Sequence, residues 1–262
     1  MSVHPAAIVE DGAQLGDVRL DPYAVIGPEV VLADGVVVGA HAVIQGKTTI
    51  GAHTQVGPHA VLGCPPQDRK HDPLTVSRLV IGERNVFREF SSAHCGSTRK
   101  DGTTHIGHDN YFMANSHVAH DCVVGSNTMF ANSAAVAGHV EIGDGAVLGG
   151  LCAVHQFSRV GRLAMVGGGA MAAQDVPPFS IAQGDRARLF GLNIIGLRRA
   201  GVDDGAIATL KEAWRMLFVS DLPRRTAQSR VRESMSEVPE VRELLDFLQS
   251  SSRGVARAGL PS

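Results

Sequence analysis

The sequence predicts a mainly β chain: a parallel β-helix of hexapeptide repeats, followed by a C-terminal α-helical domain. Three observations predict it. Every sixth residue from Leu20 is aliphatic: Ile26, Leu32, Val38, Ile44, Ile50, Val56, Leu62. The series returns at Ile81 and Phe87, then runs from Ile106 through Phe112, Val118, Val124, Phe130, Val136, Ile142, Leu148, Val154 and Val160 to Val166. Second, 30 of 262 residues are glycine and only 5% are aromatic, so the bulky side chains of a sandwich or doubly wound core are scarce. Third, from Asp203 the apolar spacing turns helical, with Ile207, Leu210, Trp214, Leu217 and Phe218 on one face.

Each element follows in order. A period of six fits neither a helix nor a hairpin sheet, but it fits a short strand plus a corner. The aliphatic residue points inward, and a small neighbour such as Gly27, Gly39 or Gly51 lets the backbone turn. Three hexapeptides close a triangular coil of 18 residues, and coils stack at about 4.8 Å. Val3, Val9 and Leu15 carry the same period one residue out of register. Two segments break it: residues 63–80, with Pro65, Pro66 and Pro73, and residues 95–105. Insertions in solenoids form loops, often on a binding face. The repeat fades after Ala172, and Val176-Pro177-Pro178 marks the exit. Asp203 or Asp204 can cap the first helix, and a second starts at Pro239 with Val241, Leu244, Leu245 and Leu248 apolar. The domains predicted are 1–190 (β-helix) and 191–262 (helical), the latter covering the end of the solenoid.

Composition narrows the function. A net charge of -2 gives no reason to expect a nucleic-acid partner. No stretch approaches the roughly 18 apolar residues of a spanning helix, and residues 1–14 carry no export signal, so a cytoplasmic protein is expected. Cys64, Cys95, Cys122 and Cys152 form no CxxC pair and are expected as reduced, buried thiols.

The 18-residue coil also serves as a ruler. It stacks His120 on Gly138, Gly138 on Gln156, and Asp121 on His139, with His117 and His155 nearby. An imidazole titrates near pH 6.5 and can take a proton from a hydroxyl at neutral pH. Asp121 could orient the ring, and the Gly138 amide could stabilise an oxyanion. No serine elbow is present, so direct attack by a substrate hydroxyl fits better than a covalent intermediate. The bland alternatives are solvated corner histidines, ordinary loop charges at Asp68 and Lys70, and a solvated helix end at Arg198 and Arg199. HxxH at 117–120 lies on a coil and no HExxH is present, so no metal is expected.

Three segments in order, His117-Val118-Ala119-His120-Asp121-Cys122, Ala137-Gly138-His139 and Ala153-Val154-His155-Gln156-Phe157, resemble the UDP-N-acetylglucosamine O-acyltransferases of lipid A synthesis. So do Gln174-Asp175-Val176-Pro177-Pro178, Ile181-Ala182-Gln183-Gly184 and Gly191-Leu192-Asn193, and the similarity covers nearly the whole chain. The resemblance implies a left-handed winding and a homotrimer with active sites between subunits. It implies transfer of a 3-hydroxyacyl group from the phosphopantetheine of acyl carrier protein to the glucosamine 3-hydroxyl, with no bound cofactor. His120 then matches the catalytic base, Asp121 its neighbour and Gly138 the oxyanion amide. His94, His117, His139 and His155 match the sugar site, and Asp68 and Lys70 match substrate-binding positions. Gln156, Asn193 and Arg199 match residues near the nucleotide and its phosphates, with Arg198 alongside. Arg198, Arg199, Arg215, Arg224 and Arg225 are candidates for docking the acidic carrier.

The chain departs from the pattern at Ile195, in place of an acid near the uracil, at Ala200, in place of a base, and at Cys95, where a basic or other polar residue is common. Gly168 lies where the family sets acyl length, and Arg186 replaces a residue at the end of that pocket. Two alternatives therefore stand beside the leading reading: an acyltransferase for another UDP-sugar, such as the 3-amino analogue, and a non-catalytic solenoid that binds a sugar nucleotide.

Overall fold

The computed structural model describes residues 1–98 and 101–259. Among them three sheets of 11, 9 and 8 strands, parallel except for the last pair of the first, form the faces of a triangular prism, here called faces 1, 2 and 3. The chain visits the faces in turn, one hexapeptide per face. Registers step by 18 residues in the regular part, as in His117↔Ala135 and Val118↔Val136. The first coil steps by 17, pairing Val3 with Leu20 and Val9 with Ile26, which accounts for the offset in the period. The repeat residues fill the prism; Phe87, Phe112 and Phe130 stack inside it at 4.5 and 4.8 Å.

The glycines beside the aliphatic residues act differently from the expectation. The left-handed corner conformation is mostly taken by other residues, among them Asp121, His139 and Phe157 with φ of 60°, 62° and 64°. Gly82 and Gly107 instead permit close stacking. A Cβ on Gly82 would lie 2.6 Å from the Gly107 carbonyl oxygen, and one on Gly107 2.6 Å from that of Gly125.

Both insertions leave from one corner, between faces 2 and 3. The first runs from the strand Val61–Cys64 to Arg78–Ile81, the second from Ser92–His94 to Thr103–Ile106. The second is shorter than the broken period suggests, because His105 and Ile106 pair in register with Val80 and Ile81. Residues 99–100 of it lie outside the described residues.

The coils end in a turn the period does not announce. Ser180–Gln183 joins face 1 and pairs antiparallel with Arg188–Leu192, so the 190/191 division falls inside a strand. Four helices follow: α1 (Ile194–Arg199), α2 (Asp204–Phe218), α3 (Arg224–Met235) and α4 (Pro239–Ser250). Asp203 is the α2 cap, accepting from the amides of Gly205 and Ala206. The chain then returns to the coils, with Val255 bridging to Asp175 and Ala258 to Leu189. Asp175 is fully buried; it accepts from the Arg159 amide at 2.8 Å and the Ser251 hydroxyl at 2.7 Å, tying solenoid to tail. Cys95, Cys122 and Cys152 are buried free thiols, while Cys64 is half-buried. No helix among the described residues is long and apolar enough to cross a membrane.

Candidate active site

The corner from which both insertions leave carries His120. The stacking is as the ruler predicts: a Cβ on Gly138 would lie 2.5 Å from His120 Cε1 and 2.6 Å from Nε2, so the imidazole occupies the space that glycine vacates. His120 Nδ1 lies 2.7 Å from Asp121 Oδ2, and His139 Nε2 lies 3.6 Å from the same oxygen. The two rings meet edge to face at 5.2 Å, and His139 stacks flat on Phe157 at 4.5 Å. An Asp–imidazole contact through Nδ1 leaves Nε2 as the atom open to substrate.

Asp121 is almost wholly buried. Burial acts to raise its pKa, but hydrogen bonds from His120 and from Ser97, with the charge of His139, outweigh it and hold the carboxyl below its ordinary range. It is an ion, able to fix the ring and to stabilise an imidazolium. His120, Asp121 and His139 also offer three ligand atoms within 4.8 Å of one another. The 2.7 Å contact favours a hydrogen bond, since two ligands on tetrahedral zinc stand roughly 3.4 Å apart.

A cleft of about 380 Å³ opens on this corner, lined by Gln67, His117, His120, Gly138 and Gln156 among others. His94 meets the ring of His117 in edge contact at 5.1 Å. His117 Nδ1 meets the Ser92 hydroxyl at 2.9 Å. Burial pushes His94 below the usual imidazole range, the Pro65 carbonyl opposes and His120 adds to it. His117 falls to about 4, first by burial and then by the charges of His94 and His120. Both are neutral at pH 7 and serve as hydrogen-bonding groups.

His117 has a consequence for stability. In the unfolded chain an imidazole takes its proton near pH 6.5. The unfolded state therefore binds more protons between about pH 6.5 and the folded value of about 4, and stability falls as pH drops through that window. Urea midpoints should decline from pH 7 to pH 5, and His117→Gln should shrink that decline. Asp121 acts lower: its depressed pKa stabilises above the ordinary carboxylate range and is lost only as pH falls through the folded value.

The remaining candidates are dispersed. Asp68 and Lys70 lie on the first insertion, where Asp68 Oδ1 accepts from the Lys70 amide at 2.9 Å. His155 lies outside the cleft, exposed, with Nδ1 2.8 Å from Arg253 Nη2. The same Nδ1 lies 3.1 Å from the Gln156 carbonyl oxygen. Asn193 caps α1, accepting from the Gly196 amide and donating to the Leu163 carbonyl. It lines a second cavity of about 940 Å³ with Ile195, Arg199 and Ala200, over face 1 and the corner between faces 3 and 1. Arg198 points elsewhere, paired with Asp204 at 3.0 Å. Gly168 is exposed at the corner between faces 1 and 2, and Arg186 at the turn before Arg188–Leu192. Asn193, Arg198, Arg199, Gly168 and Arg186 line no part of the His120 cleft.

Sequence reasoning missed Gln67, Ser92, Ser97, Thr104 and Arg253. Ser92 pairs directly with His117, but 25 residues separate them because the second insertion intervenes, so an 18-residue ruler passes over it. Arg253 comes from a tail that no repeat describes.

The chain was compared with known proteins. Residues 103–138 match the bacterial transferase hexapeptide (six repeats) model, and residues 175–256 match the second domain of the UDP-N-acetylglucosamine O-acyltransferase model. Curated relatives named acyl-[acyl-carrier-protein]–UDP-N-acetylglucosamine O-acyltransferase include one from Paraburkholderia phymatum, 42% identical over 97% of this chain and 99% of the relative. Another, from Anaeromyxobacter dehalogenans, is 46% identical over 98% of this chain and all of the relative. The solved LpxA of Acinetobacter baumannii superposes with a TM-score of 0.94 at 38% identity, covering 97% of this chain and 99% of that one. A match over the full length gives the β-helix its left hand.

Proposed function

The chain belongs to the UDP-N-acetylglucosamine O-acyltransferase family, and on that premise we propose that it moves a 3-hydroxyacyl group from acyl carrier protein to the 3-hydroxyl of UDP-N-acetylglucosamine. This is the first step of lipid A biosynthesis. One observation carries the chemistry: the His120 ring, held by Asp121 at 2.7 Å, lies against Gly138 in an open cleft.

His120 Nε2 takes the proton of the sugar hydroxyl as its oxygen attacks the thioester carbonyl. The Gly138 N–H, which donates to no described residue, faces the oxyanion that forms. The attack makes the C–O bond; collapse re-forms the carbonyl and breaks the C–S bond, and the imidazolium returns its proton to the departing phosphopantetheine thiolate. Asp121 stays ionised throughout and holds the ring. The neutral His94 and His117 with Gln67 and Gln156 bind the sugar, and His139 supports Asp121. Asp68 and Lys70 on the first insertion bind substrate from above, and His155 offers a ring nitrogen.

The Asn193–Arg199 cavity and the His120 cleft share no residue. A homotrimer resolves this: one copy supplies the His120 corner and a second supplies Asn193 and Arg199 to the nucleotide and its phosphates. Gly168 and Arg186 lie along the acyl chain in the same arrangement. Arg198 and Arg199 with Arg215, Arg224 and Arg225 offer positive charge to the acidic carrier. Both substrates are water-soluble, which suits a cytoplasmic enzyme.

Purified protein tests this with acyl-carrier donors of graded length and two acceptors, UDP-N-acetylglucosamine and its 3-amino analogue. Ester formation on the first supports the proposal. Amide formation on the second alone would assign the departures at Ile195 and Ala200 to a different acceptor. Nucleotide-sugar binding without transfer would leave a non-catalytic solenoid.

A further inference from the structure

The second insertion reaches the centre of the site. Its neck is tight: a Cβ on Gly96 would lie 2.2 Å from the Gly102 carbonyl carbon and from the Thr103 nitrogen. Backbone bonds hold the neck to the coil below, from Cys95 N–H to the Cys64 carbonyl, from Gly96 N–H to the Arg78 carbonyl, and from Arg78 N–H to the Gly102 carbonyl. The fold-back aims Ser97 at the carboxylate of Asp121. The Ser97 amide lies 3.0 Å from both Asp121 oxygens, and Ser97 is fully buried. On the far side of the insertion Thr104, also fully buried, accepts the Asp121 amide hydrogen at 2.8 Å.

We propose that Ser97 and Thr104, on the two arms of the second insertion, are positioning residues for the His120–Asp121 pair and touch no substrate. Asp121 stands in the left-handed backbone region with φ of 60°, which is unfavourable for a residue with a side chain. Thr104 ties that backbone down. A buried carboxylate shared by two imidazoles could otherwise rotate or take the proton from the ring. The Ser97 amide, pointed between its two oxygens, and the Ser97 hydroxyl, which also bonds the carboxylate, prevent both. They hold the carboxylate in the plane that meets His120 Nδ1, and they stabilise the ion, so the proton stays on the imidazole.

The inference rests on His120 being the base, and its test is chosen to separate the two. The charged and titratable groups facing His120 are Asp121, His139, His94 and His117. Two properties are measured in Ser97→Pro, which lacks the amide hydrogen and the hydroxyl, and in Thr104→Val and Thr104→Ser. One is the His120 titration midpoint by NMR of ¹³C-labelled histidine without substrate, assigned with His120→Asn. The other is kcat and KM for transfer. Losing the amide leaves more of the carboxylate charge for the imidazolium, so the midpoint in Ser97→Pro should rise by about one unit. In Ser97→Pro and Thr104→Val kcat should fall about 10- to 100-fold with KM for the sugar nucleotide within about twofold. Thr104→Ser should regain most of it. If Ser97→Pro does not fold, the isosteric Thr104→Val and its Ser rescue decide alone. Wild-type kcat in folded Thr104→Val, or an unmoved midpoint in folded Ser97→Pro, overturns the inference. A wild type that transfers nothing, with the midpoint still moving in Ser97→Pro, refutes the proposed function and leaves the positioning role standing.

Discussion

Replacing His120 by Ala should lower kcat by on the order of 10²- to 10⁴-fold, the range that a positioned general base contributes. Thermal unfolding should change little, because the side chain lies at an open cleft and the prism core does not depend on it. KM for the sugar nucleotide should move less than kcat, since Gln67, His94 and His117 remain. Turnover measured on the folded variant checks this. A kcat within a few-fold of wild type would mean that another group takes the proton, and His139 would be the first to test.

The second large effect is expected at Gly138. An Ala Cβ there meets the His120 ring at 2.5, 2.6 and 3.1 Å. The backbone on one side is fixed by the bond from Phe157 N–H to the Gly138 carbonyl, and the ring on the other by Asp121 at 2.7 Å. The ring must give way, which costs the Asp121 bond, and the methyl group stands where the oxyanion would approach. Gly138→Ala should therefore lose on the order of 10²-fold or more in kcat, comparable with a lost oxyanion donor. Gly150→Ala is the control: its Cβ would meet only the Asn132 carbonyl oxygen at 3.4 Å, so it should fold and turn over normally. Equal behaviour of the two variants would remove Gly138 from the mechanism.

Much of this site is legible in the sequence because a solenoid converts sequence distance into spatial distance. The 18-residue step places His120 on Gly138 and Asp121 beside His139, and both pairs stand in the structure at contact distance. The same rule fails wherever the period is interrupted. Ser92 belongs under His117 yet is displaced by the second insertion, and Ser97 reaches Asp121 only through the fold-back at Gly96. Helices α2 and α4 show an apolar stripe and are readable. α3 offers only Ala227, Val231 and Met235 as an apolar stripe among arginines and polar residues, so its helical signal is thin. α1 is a single turn and a half whose start is set by the Asn193 side chain. The glycines after the aliphatic positions are legible as a pattern but their role is not: they admit the next coil, while Asp, His and Phe take the left-handed corners.

The nucleotide end is where a single protomer is least complete. Asn193 and Arg199 line a cavity on another corner from His120, and Ile195, 66% exposed, gives that cavity an apolar wall.

The pH dependence of kcat/KM for transfer to UDP-N-acetylglucosamine tests the central claim most directly. Free-enzyme His120 must be neutral to accept the hydroxyl proton, so activity should fall on the acid side with a single midpoint. That midpoint should coincide with the His120 titration read by NMR, and the limb should vanish from the residual activity of His120→Ala. An acid limb unchanged in His120→Ala, or one a full unit away from the His120 titration, would contradict the account.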